Sequence, residues 1–128
     1  MIGATAAVWG GTPAPDGAKV YFITPSDGET VTNPVTVRFG LTGMGVAPAG
    51  TDRPATGHHH LLIDLDETPA AGQPLPADDN HIHFGGGQTE TTLELEPGTH
   101  TLQLLLGDMN HVPHDPPVMS ERITVEVQ

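Results

Sequence analysis

Residues 58–65 read HHHLLIDL, three imidazoles followed at once by a run of aliphatic side chains. A stretch this short acquires two distinct faces only as a strand, because side chains then alternate. Leu61 and Ile63 share one face with His59, and His58 and His60 share the other. With Leu61 and Ile63 turned to a core, His58 and His60 face outward, and His59 is expected on the core side as a hydrogen-bonded structural residue. Whether this stretch is a strand decides the fold, since the rest of the chain follows the same pattern.

Working outward, KVYFIT (19–24), VTVRFGL (35–41), HIHF (81–84), TTLELE (91–96), HTLQLLL (100–106) and RITVEV (122–127) are all of strand length and rich in Val, Ile, Leu, Thr and Phe. None reaches helix length. TPSDGET (24–30) and EPGTH (96–100) are tight reversals, in which Pro presets φ and Gly supplies a positive one. Seven such segments without an amphipathic helix predict an all-β chain, a single Ig-like antiparallel β-sandwich of about seven strands. Its core rows are expected to be Val20 and Phe22; Val35, Val37 and Phe39; Leu102, Leu104 and Leu106; and Ile123, Val125 and Val127.

A chain of 128 residues is long enough for one domain with a real core and too short for two of ordinary size. We place the domain at 19–128, after a flexible N-terminal segment, 1–18, reading MIGATAAVWGGTPAPDGA. That segment lacks the charged start of a signal peptide and reads as a mature N-terminus carrying an added Met. It suggests export, hence a periplasmic or extracellular location. A net charge of -12 repels nucleic acid and anionic membrane surfaces. No apolar run approaches the roughly eighteen residues of a membrane span. The absence of cysteine rules out disulfides and thiolate metal sites.

Histidine carries the chemistry. The chain holds eight, and all but His100 fall in three tight clusters. NHIHFGGGQTE (80–90) repeats the His-x-His design, with His81 and His83 on one face and Ile82 and Phe84 on the other. GDMNHVPHDPP (107–117) places His111 and His114 in a Pro-rich loop after a core strand. Neighbouring strands lie about 4.8 Å apart, within the span of side chains that share one ion. The candidate metal ligands are therefore His58, His60, His81, His83, His111 and His114, in one site or two. His100 follows a turn and shares parity with Leu102, so it reads as structural.

Neutral imidazole suits copper or zinc, whereas the alternating acids of a calcium loop are missing. Met109 and Met119 flank the third cluster and offer thioether sulfur to copper. Asp64, Asp79, Glu90, Asp108 and Asp115 lie near the clusters, either orienting a ligating imidazole or forming a solvated acidic surface. Asp64 shares parity with His58 and His60. FGGGQTE (84–90) lacks the Lys-Ser/Thr pair of a phosphate loop and reads as a turn at a site wall, with Gln88 and Glu90 as polar contacts. Loops 44–57 and 66–80 are long for such a domain, a length associated with function.

Three functions fit these residues. One is a metal-binding module for a divalent ion. Another is a metalloenzyme with an open position on the ion and Glu90 or an Asp as base. The last is a homo-oligomeric assembly protein whose histidines bridge subunits through metal or pH.

GHHHLLID, PADDNHIHFGGGQTE, PGTHTLQLLLGD and HVPHDPPVMSERITVEV, with the opening YFITPSDGETVTNPVTVRFGLTGMGVAPAG, together resemble a bacterial family known as a domain of unknown function and found in exported proteins. The resemblance covers roughly 19–127 and implies an exported Ig-like β domain without an assigned activity. The His-x-His strand ending in LLID is also similar, over a short stretch, to strands of periplasmic copper-resistance β-sandwiches.

Overall fold

The alternation of β-branched and polar residues resolves into two facing sheets in the computed structural model, which describes residues 12–128. The strands are β1 (Lys19–Thr24), β2 (Thr30–Val31), β3 (Val35–Thr42), β4 (Gly45–Val46), β5 (Thr56–Ile63), β6 (His81–His83), β7 (Glu90–Leu93), β8 (Gly98–Gly107) and β9 (Ile123–Val127). One sheet has the order β1-β3-β7; the other runs β2-β9-β8-β5-β4, with β6 paired to β5. There is no helix among the described residues, and none that is long and apolar enough to cross a membrane.

The architecture is the expected all-β sandwich, with two differences of detail. All seven expected segments are strands, and the two additional ones, β2 and β4, are two residues each, too short to show a period in sequence. The pairing is not wholly antiparallel, because β2 joins β9 and β4 joins β5 in parallel.

The core fills the space between the sheets. Val20, Val35, Val37 and Phe39 from the small sheet meet Leu61, Ile63, Leu102, Leu104, Leu106, Ile123 and Val125 from the large one, and Phe22 packs at the margin. Register explains the match: Leu61 lies opposite Leu104, and Ile63 opposite Leu102. Removing each such side chain from water contributes about 1.5–3 kcal/mol. β5 stops at Ile63 because Asp64 takes a left-handed φ of 57°. Its carboxylate then accepts the Thr101 N–H at 2.9 Å and the His100 ring at 2.7 Å.

The outer face of the large sheet is also covered, which alternation alone does not foretell. Loop 66–80 folds back over it, and Leu75 packs on Leu62 and Leu105 in a second small apolar cluster. The expected leader divides as well. Residues 1–11 lie outside the described residues. Residues 12–18 are tied to the domain, through a bridge between Pro13 and Asp115 and a hydrogen bond of 2.8 Å from the Thr12 hydroxyl to Asp108.

Candidate metal centre

Strands β5 and β6 pair with His60 opposite His83, so both imidazoles stand on the outer face beside His58. The fourth member comes from the loop after β8. There Asp108 acts as a hub: its Oδ1 accepts the N–H groups of Asn110 and Val112, and its backbone carbonyl accepts that of His111 at 2.9 Å. Burial pushes the Asp108 carboxyl up, but these N–H donors and the Thr12 hydroxyl outweigh it and hold the group below the ordinary carboxylate range. The tight loop leaves His111 at a φ of 65° and turns its ring onto the same outer face.

His58, His60, His83 and His111 thus converge, with one nitrogen from each lying within 4.8 Å of all the others. Ring centroids within the group are 4.5–6.0 Å apart. The closest nitrogens, His58 Nε2 and His111 Nδ1, are 3.1 Å apart. Nitrogens bound at about 2.0–2.1 Å to one tetrahedral ion sit roughly 3.3 Å from each other, so modest ring rotations would complete the set. His58 and His60 are 1% exposed, while His83 reaches the surface. Burial, reinforced by the neighbouring imidazoles, lowers His58 to about 4 and His60 to about 3, and it lowers His83 as well. The buried pair is therefore neutral at ordinary pH, the form that donates a lone pair to a metal.

Backbone is cleared for these rings. A Cβ on Gly85 would lie 2.3 Å from His83 Cε1, and one on Gly107 would lie 2.6 Å from His60 Cε1. A cavity of about 70 Å³ adjoins the group, lined by His60, His83, His111, Leu75, Pro76 and Ala77.

Two of the six expected ligands stand elsewhere. His81 lies opposite Leu62, one step along β6, and bonds Asp78 at 2.7 Å. The pairing continues beyond it through Asn80 and Ile63, and the Asp78 carboxylate holds the His81 ring apart from the group. His114 is three residues past His111, but the bridge between Gly107 and Pro113 folds it inward. Its Nε2 donates to the Thr56 carbonyl at 3.2 Å, beside Gly57.

Other expectations meet the structure unevenly. Asp64 does not orient His58 or His60; it holds His100, raising that imidazole's pKa, in keeping with a structural His100. Glu90 lies on the other sheet, beside Arg38 at 3.4 Å, and so cannot serve as a base at this cluster. Gln88 accepts the Gly86 N–H within its own turn. His59 faces the core as expected, against Phe39 at a centroid distance of 5.0 Å, but neither of its ring nitrogens has a hydrogen-bond partner. Sequence reasoning missed Leu75 as a builder of the site; Asp108, expected to orient an imidazole or to belong to a solvated acidic surface, acts through the turn that carries His111. The link from Leu75 to His111, an N–H to carbonyl bond of 2.7 Å, joins separate loops and leaves no local spacing signal.

Neither the curated proteins nor the solved structures give a match to this chain. One family profile does, described as a domain of unknown function, and it spans residues 37–128. The match runs from within β3 to the chain end and includes all four converging histidines. The segment before residue 37, which also resembles the family in sequence, lies outside it. Over most of its length, then, this chain belongs to the DUF4399 family.

Proposed function

We propose that the domain binds a single divalent metal ion, copper or zinc, through His58, His60, His83 and His111. The observation that carries this reading is the convergence of four imidazoles from β5, β6 and the loop after β8, with no carboxylate in the group. Packing neutral imidazoles together costs desolvation and, on any protonation, repulsion. A bound ion offsets both. An all-imidazole set favours borderline ions over calcium or magnesium, and among divalent ions copper binds nitrogen donors most tightly.

The four donors come from one chain, so no second copy is needed to complete the set. The adjoining cavity of about 70 Å³ is too small for an organic substrate. Both points favour a binding module over subunit bridging or catalysis on a large molecule. We place it in the periplasm or outside the cell, where the family resemblance points.

Calorimetric titration with Cu(II) and Zn(II) tests the reading. Affinity for at least one tighter than about 10 μM, roughly 7 kcal/mol, is expected. His58→Ala and His83→Ala each weaken it, whereas His81→Ala leaves it unchanged. Failure of both ions to bind would overturn the proposal.

A further inference from the structure

The four-histidine group has one side that protein does not fill. His60, His83 and His111 line the cavity of about 70 Å³; His58 does not, and the opposite wall is made by Leu75, Pro76 and Ala77. Those three side chains bring no hydrogen-bonding or ligating group. The wall is nonetheless fixed: Leu75 is 7% exposed, packs on Leu62 and Leu105, and donates its N–H to His111 at 2.7 Å. Pro76 and Ala77 are exposed, so the recess opens toward solvent, and its volume of about 70 Å³ leaves room for a ligand of a few non-hydrogen atoms between the imidazoles and the wall.

Charge indicates which kind of ligand. Four neutral imidazoles leave a divalent ion with its full 2+ charge, and no Asp or Glu of the described residues joins the ligand group. One carboxylate, Asp108, acts on His58 from outside the group, which leaves a net positive charge against an aliphatic wall, a costly arrangement. An anion at that position removes much of the cost. Both candidate ions accept a further donor beyond four nitrogens, zinc by expanding to five-coordinate and copper through tetragonal geometry.

Resting on the metal-binding reading above, we propose that the bound ion keeps one exchangeable position facing the Leu75–Ala77 wall, and that this position takes a small monovalent anion. The site would be a small recess for hydroxide, a halide or a short pseudohalide, bounded on one side by the wall and charged by the ion.

Sodium azide added to the Cu(II)-loaded protein tests this, read by the azide-to-copper charge-transfer band and by copper paramagnetic resonance. Wild-type protein is expected to give a saturable new band with copper still bound after desalting. Ala77→Leu adds volume at an exposed wall position and is expected to weaken azide about tenfold, with little change in calorimetric Cu(II) affinity. Two results would overturn the proposal while leaving the metal site standing. One is Cu(II) binding with no azide response up to about 100 mM, where a millimolar ligand is essentially saturated. The other is an azide affinity that Ala77→Leu leaves unchanged. Absence of Cu(II) binding would defeat both readings, and calorimetry without azide identifies that case.

Discussion

His59 is a core residue with a polar ring that nothing satisfies. It is fully buried, both its nitrogens lack partners, and burial lowers its pKa to about 4 from the ordinary 6.5. In the unfolded chain it takes up a proton near pH 6.5, whereas folded it resists until about pH 4. Stability from this group is therefore complete above pH 6.5 and is lost as pH falls toward 4, by a few kcal/mol at most. His58 and His60 are depressed in the same direction and add to the loss. Urea unfolding of metal-free protein between pH 7 and 4 should show this decline, and His59→Leu should raise stability at neutral pH by about 1–2 kcal/mol while flattening the profile. Glycine acts at this scale too. Gly85→Ala needs no unusual backbone angle, so its effect falls on the His83 ring 2.3 Å away. We expect metal affinity to drop about ten- to hundredfold with little change in folding. Gly40→Ala, which meets only the Tyr21 ring at 2.3 Å, is the control and should leave metal affinity intact.

At the level of elements, the site depends on how β5, β6 and two loops are held together. β5 supplies two imidazoles outward and, on alternate positions, Leu61 and Ile63 inward, so its register against β8 fixes the core and the site at once. Loop 66–80 has no regular structure but is anchored by Leu75. Leu75→Ala removes most of that anchor, and chemical unfolding should show a loss of about 2–3 kcal/mol. The same change should speed metal release measured by chelator competition, because the His111 carbonyl keeps its bond only while residue 75 stays seated. His-x-His alternation made β5 and β6 legible as strands with imidazoles on one face. It did not distinguish His83 from His81, which share parity; only the pairing of His60 with His83 and the length of β6 do so. Nor did it indicate that the outward face is buried, since cover by a distant loop leaves no trace in a strand's own period.

For the whole molecule, two sheets enclose one core and the four-histidine group sits on the back of the larger sheet. Leu104, fully buried at the centre, should behave as a global determinant: Leu104→Ala is expected to cost about 3–5 kcal/mol and to reduce metal binding only through unfolding. All four donors belong to a single chain, so adding or chelating metal should leave the mass in light scattering unchanged. Copper should instead raise the thermal midpoint, with stabilisation of about 2.7 kcal/mol when free metal is a hundredfold above Kd. The strand pattern, the apolar rows and the identity of His58, His60, His83 and His111 as candidates were determined by the sequence alone, because period-two alternation is a local property of the backbone. The tertiary structure decided which four of six histidines meet, that His59 goes without a partner, and that Leu75 ties loop 66–80 to His111. Each of these depends on contacts between segments far apart in the chain, which no local spacing records.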